Sequence, residues 1–394
     1  MLALAKAFSD SNDTGQEYTF IVREDMLDWL APYIYGPCRL QAIAVPKPPP
    51  PSATSKLKAA VGRIKPLQRA WHKLQARNER VPVSDGYVES HKFDVVHFPT
   101  QTAYLTELPS IYQPWDLQHL HYPEFFHKDI FAQRERDYRA FCKQARFVCV
   151  QAEWTRRDVI QQYRLPENKV VVIPWGSVLD AYENPTEEAT RATIEKYSFP
   201  REFFFYPAVT WPHKNHGVIL RALHILKTEH GLTPHVYFSG RSTSQRPMLD
   251  QIVQDLGISE QVHFLGFLTP EELQVVFKTA TAMIFASKFE GFGLPILEAF
   301  HAGLPVLSST ASTLPEVAGD AALYFDSDSP AELASSMKLI LDKPEIRKEL
   351  IRKGTVQLSQ HSIEKTAAGF RELYEKTAGL SSPEQRMSTV SAES

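Results

Sequence analysis

The chain has 394 residues, 43% hydrophobic and 23% charged, with a formal net charge of −3, a globular composition without the basic excess expected of a nucleic-acid-binding protein. Its three cysteines, Cys38, Cys142 and Cys149, fit neither a disulfide framework nor a zinc site, and a reducing cytoplasmic compartment is the expectation. The length exceeds one ordinary core, so two domains are expected, and no apolar run has the form of a membrane span or a signal peptide.

The first residues, MLALAKAF, read as the middle of an amphipathic helix, followed at once by polar SDSNDTGQ and a strand, YTFIV. An α/β domain more often opens on a buried strand. Strands are then expected at Tyr18–Val22, Leu40–Val45, Val95–Phe98, Phe147–Val150 and Val170–Ile173, and helices at Glu24–Ile34, Lys128–Lys143 and Trp154–Tyr163. Apolar strands alternating with helices point to a parallel sheet covered on both faces. Between them, residues 46–80 begin PKPPPPSATS, a stiff proline spacer, and continue as a segment with apolar residues at helical spacing. Eight Lys or Arg against Glu79 make residues 56–80 either a solvated basic helix or a cationic amphipathic helix resting on anionic lipid, and Pro66 interrupts both readings.

The second half repeats the alternation. Strands EFFFYPAV, HVYFSG, VHFLGF, AMIFAS and PVLSS are separated by helices NHGVILRALHILKTEHG, QRPMLDQIVQDLG, PEELQVVFKTA and LPILEAFHAG. The short element ALYFD and the helix PAELASSMKLILD follow. This is a second doubly wound unit, and two such sheets with facing carboxyl ends would enclose a cleft. The expected division is 1–175 for an acceptor-side domain carrying the 46–80 insertion, and 176–362 for the second domain. A helix at 363–379 is expected to pack back on the first domain, ahead of a Ser- and Glu-rich disordered tail at 380–394.

Three constellations carry chemistry. In FEGFGLPILEAF, Glu290 precedes the close turn Gly291-Phe292-Gly293, and Glu298 lies on the helix that begins around Leu294 and Pro295. A loop-to-helix junction aims backbone N–H groups at an anion, and the two carboxylates could accept hydroxyls of one ligand, as a sugar offers; the plainer reading is a capping Glu and a surface Glu. In FFFYPAVTWPHKNHG, Lys214 follows a strand and precedes a helix for which Asn215 would be the N-cap, a favourable place to hold a diphosphate. The segment PWDLQHLHYPEFFHKD gathers Asp116, His119, His121, Glu124 and His127. A metal there is weakly supported, because no helical His-x3-His pairing with a carboxylate is present, and one His at the cleft is the stronger expectation.

EGFGLPILEAFHAGLPV followed by STLPEVAGDAALYFD resembles the C-terminal half of family 4 retaining glycosyltransferases of the GT-B fold. Glu290 and Glu298 match that family's Glu-x7-Glu motif, and YPAVTWPHKNH, VHFLGFLTPEELQVVFKTA and WTRRDVIQQYRLPENKVVVIPWG match in order and spacing. DLQHLHYPEFF is similar to a segment of bacterial members that build surface polysaccharides. The resemblance implies two Rossmann-like domains facing a cleft, and transfer of a hexose, mannose favoured, from a nucleotide sugar such as GDP-mannose or a UDP-hexose to a glycan or lipid-linked acceptor. It implies retention and no metal or other cofactor. Glu290 would meet the transferred sugar, and Glu298 the ribose. Backbone N–H groups of Phe292, Gly293 and Leu294 would lie near the sugar and diphosphate, Lys214 would neutralise the diphosphate, and Leu265, Gly266 and Phe267 would border the base. Relatives often carry Arg where Ala208 stands, for which Arg241 is the candidate substitute, and His where Trp115 stands, for which His119 is the candidate at the sugar or acceptor. Relatives also begin with a strand and Gly-rich loop before a helix like LALAKAF, so the N-terminal domain is expected to be incomplete and the start truncated. A nucleotide-sugar epimerase on the same fold and a non-catalytic nucleotide- or glycan-binding relic are the alternatives. Cytoplasmic location with peripheral membrane contact through 56–80 completes the expectation.

Overall fold

The central strands of both halves are built from residues that favour a pleated, fully covered position: FFFY, AMIF and VLSS are buried along their whole length, as are SIY and VCV in the first half. The computed structural model describes residues 2–11, 15–43, 80–177, 179, 182 and 184–379. The expected tail at 380–394 lies outside the described residues, as does the expected basic insertion apart from Arg80.

The strands form three parallel sheets among the described residues. Strands β1 (Tyr18–Arg23) and β2 (Cys38–Ile43) pair with each other. Strands β3 (Val96–Phe98), β4 (Ser110–Tyr112), β5 (Phe147–Val150) and β6 (Val170–Val172) form a second sheet in chain order. The third sheet contains β7 (Phe203–Pro207), β8 (His235–Ser239), β9 (Val262–Gly266), β10 (Ala282–Phe285), β11 (Val306–Ser309) and β12 (Ala322–Phe325), in the order β12-β11-β10-β7-β8-β9.

That order places the strand reversal between β7 and β10. The two are paired neighbours, Ala282 opposite Phe204, and the chain leaves β7 towards β8 and β9 but β10 towards β11 and β12. The carboxyl ends at such a switch point leave a crevice, because the following helices depart on opposite faces. Lys214 follows β7 and Glu290 follows β10, so topology alone brings the two sequence motifs to one crevice.

Two local expectations change. Residues 24–34 do not form one helix but three short turns, Glu24–Met26, Leu27–Leu30 and Ala31–Tyr33, because Pro32 lacks the N–H that a continued helix would use. The strand Ser110–Tyr112 is not announced by the sequence, since the four residues between Pro109 and Pro114 carry no readable period.

The final helix, Ile363–Ala378, lies against the first half of the chain. Its Ala367, Phe370 and Leu373 share one buried cluster with Leu4 and Phe8 of the helix Leu2–Ser9, Tyr18 of β1, Ile111 of β4 and Cys149 of β5. Arg146 donates to the Thr377 carbonyl at 2.8 Å, and the Tyr374 hydroxyl bonds His97 Nδ1 at 2.9 Å. The separate β1–β2 and β3–β6 sheets are thereby joined through side chains. Phe370, fully buried at their meeting point, should cost about 3–5 kcal/mol when cut to Ala, read as a lower urea midpoint. A loss under about 1 kcal/mol would contradict this packing account.

Candidate active site

The crevice is assembled from two loops stitched to each other. After β7, the turn Pro212–Lys214 leads into the helix His216–His230, and the Tyr206 hydroxyl donates to the Lys214 carbonyl at 2.7 Å. After β10, residues 286–293 lead into the helix Leu294–His301. Lys288 N–H donates to the His213 carbonyl at 2.7 Å. Asn215 occupies the N-cap position in the left-handed conformation, φ 56°, but its side chain does not cap the helix as expected. The amide instead donates to the carbonyls of Ala286 at 3.2 Å and Ser327 at 2.7 Å, tying the first loop to the second.

Between these loops, Lys214 Nζ meets Glu290 Oε1 at 2.5 Å, with the two side chains only 20% and 15% exposed. The Glu290 backbone is held from behind: its N–H donates to Ser312 Oγ at 2.9 Å, and the hydroxyls of Ser312 and Thr313 donate to its carbonyl at 2.9 and 3.1 Å. Thr313 also donates to the Phe292 carbonyl at 2.9 Å. Ser312 and Thr313 open the stretch STLPEVAG, which gives no sign of this role, because the contact spans 22 residues.

The glycines are needed for different reasons. Gly293 has φ 113°, a conformation side chains rarely adopt, and there it initiates the helix bearing Glu298. Gly291 is required by close approach: a Cβ would lie 2.2 Å from the Trp115 carbonyl oxygen. The first half of the chain therefore presses on the motif loop. Thr155 Oγ1 donates to the Gly291 carbonyl at 3.1 Å, and the Tyr122 hydroxyl to that of Lys288 at 3.2 Å. His121 stacks on Phe289 with ring centroids 4.9 Å apart, and Trp154 meets the same ring edge-on at 5.4 Å. The Glu316 carboxylate accepts the N–H groups of Glu153 at 2.6 Å and Trp154 at 2.9 Å, at the start of the helix Glu153–Tyr163.

Asp116 faces the same crevice. Burial pushes its carboxyl above the usual carboxylate range, Glu290 adds to that rise, and Arg134 and Lys214 oppose it. Glu298 is half-buried on its helix, and desolvation pushes its carboxyl up to about 7. His213, in the turn after β7, is held down to about 4, mainly by burial, so it is neutral near pH 7.

Other expected residues lie elsewhere or are only partly drawn in. His119 is not at the crevice surface: it is fully buried, its Nε2 bonds Glu135 at 3.1 Å, and the rings of Phe126, Phe131 and Tyr138 surround it. Burial lowers its pKa, and it serves the core beneath the loop rather than a ligand. His121 pairs with Asp158 at 2.9 Å and His127 with Asp129 at 3.3 Å, so the histidine-rich segment disperses to separate partners. No cluster of three or more His, Cys, Asp or Glu suited to a metal occurs among the described residues. Arg241 is exposed, and its carbonyl accepts the Thr210 N–H at 3.4 Å, which sets it beside the loop after β7 near Ala208. Leu265 and Gly266 end β9; Phe267 follows and is 76% exposed. No helix among the described residues is long and apolar enough to cross a membrane.

The structure superposes on a glycosyltransferase from Rickettsia africae with a TM-score of 0.66 at 15% identity, covering 95% of this chain and 93% of that one. It superposes on Anabaena HepE in complex with UDP and glucose with a TM-score of 0.66 at 14% identity, covering 95% and 94%. The fold is that of the GT-B glycosyltransferases. Residues 188–357, somewhat under half of the chain, match the family model Glycosyl transferases group 1. Among curated relatives, it is 26% identical over 243 residues to O-antigen chain mannosyltransferase B of Escherichia coli, 61% of this chain and 64% of the relative. It is 25% identical over 230 residues to O-antigen chain mannosyltransferase RfbU of Salmonella typhimurium, 58% and 60%. The matched stretch thus spans less than two thirds of either relative.

Glu298 supplies a test that needs no substrate. Its folded pKa near 7 lies above the ordinary 4.5, so between these values the folded chain holds a proton that the unfolded chain has released. Stability should therefore fall as pH rises through that window and stay lower above it. Glu298→Gln should match the parent near pH 4 and exceed it near pH 8 by up to about 3 kcal/mol, by urea unfolding at both pH values. An equal difference at both would contradict the burial of this carboxyl.

Proposed function

We propose that the chain is a family 4 retaining glycosyltransferase that moves a hexose, with mannose favoured, from a nucleotide sugar to a glycan or lipid-linked acceptor in polysaccharide assembly. The observation that carries this reading is the Lys214–Glu290 pair at the strand reversal, with Glu298 one helix turn beyond the glycine loop. The two O-antigen mannosyltransferase relatives and the UDP- and glucose-bound neighbour support the choice of sugar chemistry.

In this reading the diphosphate displaces Glu290 as the counter-charge of Lys214. Glu290 is then released to accept hydroxyls of the hexose, where a charged acceptor is stronger than a neutral one. Glu298 accepts the ribose hydroxyls, and the backbone N–H groups of Phe292, Gly293 and Leu294 face the sugar and diphosphate at the start of a helix. Arg241, beside Ala208, adds positive charge near the diphosphate, and Leu265, Gly266 and Phe267 border the base. As the anomeric C–O bond breaks, negative charge grows on the leaving diphosphate, which Lys214 stabilises in place. The acceptor hydroxyl forms the new bond on the same face of the sugar, and its proton passes to the departing phosphate oxygen. No metal is assigned a step. A location at the cytoplasmic face of a membrane suits a lipid-linked acceptor.

Glu290→Gln separates sugar handling from nucleotide binding. The variant should lower kcat/KM for transfer by about a hundredfold or more, while UDP or GDP binding is retained or tightened, because Lys214 has lost its competing partner. Assay of a nucleotide-sugar panel with calorimetry of the free nucleotides checks both arms. Unchanged transfer in the variant would refute the role given to Glu290.

A further inference from the structure

Trp115 stands in a conformation that its side chain does not favour. Its φ is 66°, in the left-handed region where glycine and asparagine are at ease and a bulky residue is not. Its carbonyl oxygen abuts Gly291 of the motif loop. Its indole N–H donates to the Pro99 carbonyl at 2.9 Å, beyond the end of β3, and its ring meets Trp175 edge-on at 6.1 Å, beyond the end of β6. Trp175 in turn meets Phe292 of the motif loop edge-on at 6.3 Å. Trp115 is nevertheless 38% exposed, while Gln113, Leu117 and His119 around it are buried. The packing of the core therefore does not account for a large ring here. The next residue is Asp116, whose carboxyl senses both Lys214 and Glu290.

An exposed, hydrogen-bonded indole beside a carboxylate is the chemistry that receives a pyranose: the ring face covers the sugar's C–H face and the carboxylate accepts a hydroxyl. The groups assigned above to the donor, Lys214, Glu290 and Glu298, all issue from the β7–β12 sheet, whereas Trp115 issues from the β3–β6 sheet across the crevice. We propose that Trp115 is the platform on which the acceptor's terminal pyranose stacks, with Asp116 accepting one of its hydroxyls. This rests on the glycosyltransferase reading and adds to it the class of acceptor and the residue that selects it.

The test uses the full chain, Trp115→Gly, which suits the left-handed backbone, and Trp115→Phe, which keeps a ring. Methyl α-mannopyranoside is titrated by saturation-transfer NMR into each protein saturated with GDP or UDP, whose own Kd is measured first. The expected result is a pyranoside Kd about tenfold or more weaker in Trp115→Gly and within about threefold of the parent in Trp115→Phe, with the nucleotide Kd changed less than about twofold. Equal pyranoside binding by the glycine variant overturns the proposal. So does a phenylalanine variant as weak as the glycine one, which would make the indole N–H bond to Pro99 the cause. A tenfold weaker nucleotide Kd in the glycine variant also overturns it, by assigning the ring to the donor. A parent chain that binds neither nucleotide overturns the proposed function itself, an outcome distinct from these.

Discussion

The Lys214–Glu290 ion pair depends on a loop that cannot move independently of either half of the chain. Its two members come from positions 76 residues apart, and only the reversal of strand order between β7 and β10 makes them neighbours. Both are largely shielded from water, so each charge would be costly to leave alone, and a ligand at this place must supply what it displaces. A diphosphate does this for Lys214, and hydroxyl donors do it for Glu290. The site is thus held together by the same two charges that the proposed reaction uses separately.

The constraint extends outward from that pair. Ser312 and Thr313 hold the loop from the β11 side, and Thr155, Tyr122 and the Trp115 carbonyl hold it from the first half of the chain. Glu316 closes the same seam by accepting two backbone N–H groups at a helix start, a bond strengthened by the acceptor's charge. A motif that lies within the second sheet is therefore positioned by residues of both halves. This explains why Gly291 tolerates no side chain even though its own backbone angle demands none: the neighbouring carbonyl occupies the space.

Much of this was legible in the sequence because it rests on local chemistry. Continuous apolar runs gave the covered parallel strands, and two glycines and a proline between Glu290 and Glu298 marked the loop-to-helix junction. Local chemistry misled where tertiary partners decide. Asn215 has an N-cap residue's identity, but two carbonyls of the neighbouring loop claim its amide. His119 sits in a motif-like segment with other polar residues, yet Glu135 and three aromatic rings draw it into the core. The roles of Ser312, Thr313, Asp116 and Glu316 were not legible, since each depends on a partner far along the chain and none stands at a distinctive spacing. The Lys214–Glu290 contact belongs to that class only in part: the resemblance put both residues in one donor site, but their direct pairing follows from the sheet order.

The most direct test of the central claim is a crystal structure of the full chain soaked with GDP or UDP. The account predicts the diphosphate at the carboxyl ends of β7 and β10, with a phosphate oxygen about 3 Å from Lys214 Nζ, the ribose hydroxyls on Glu298, and Glu290 turned away from Lys214. A nucleotide bound elsewhere, or one that leaves the Lys214–Glu290 pair intact with its phosphates out of reach, would contradict it.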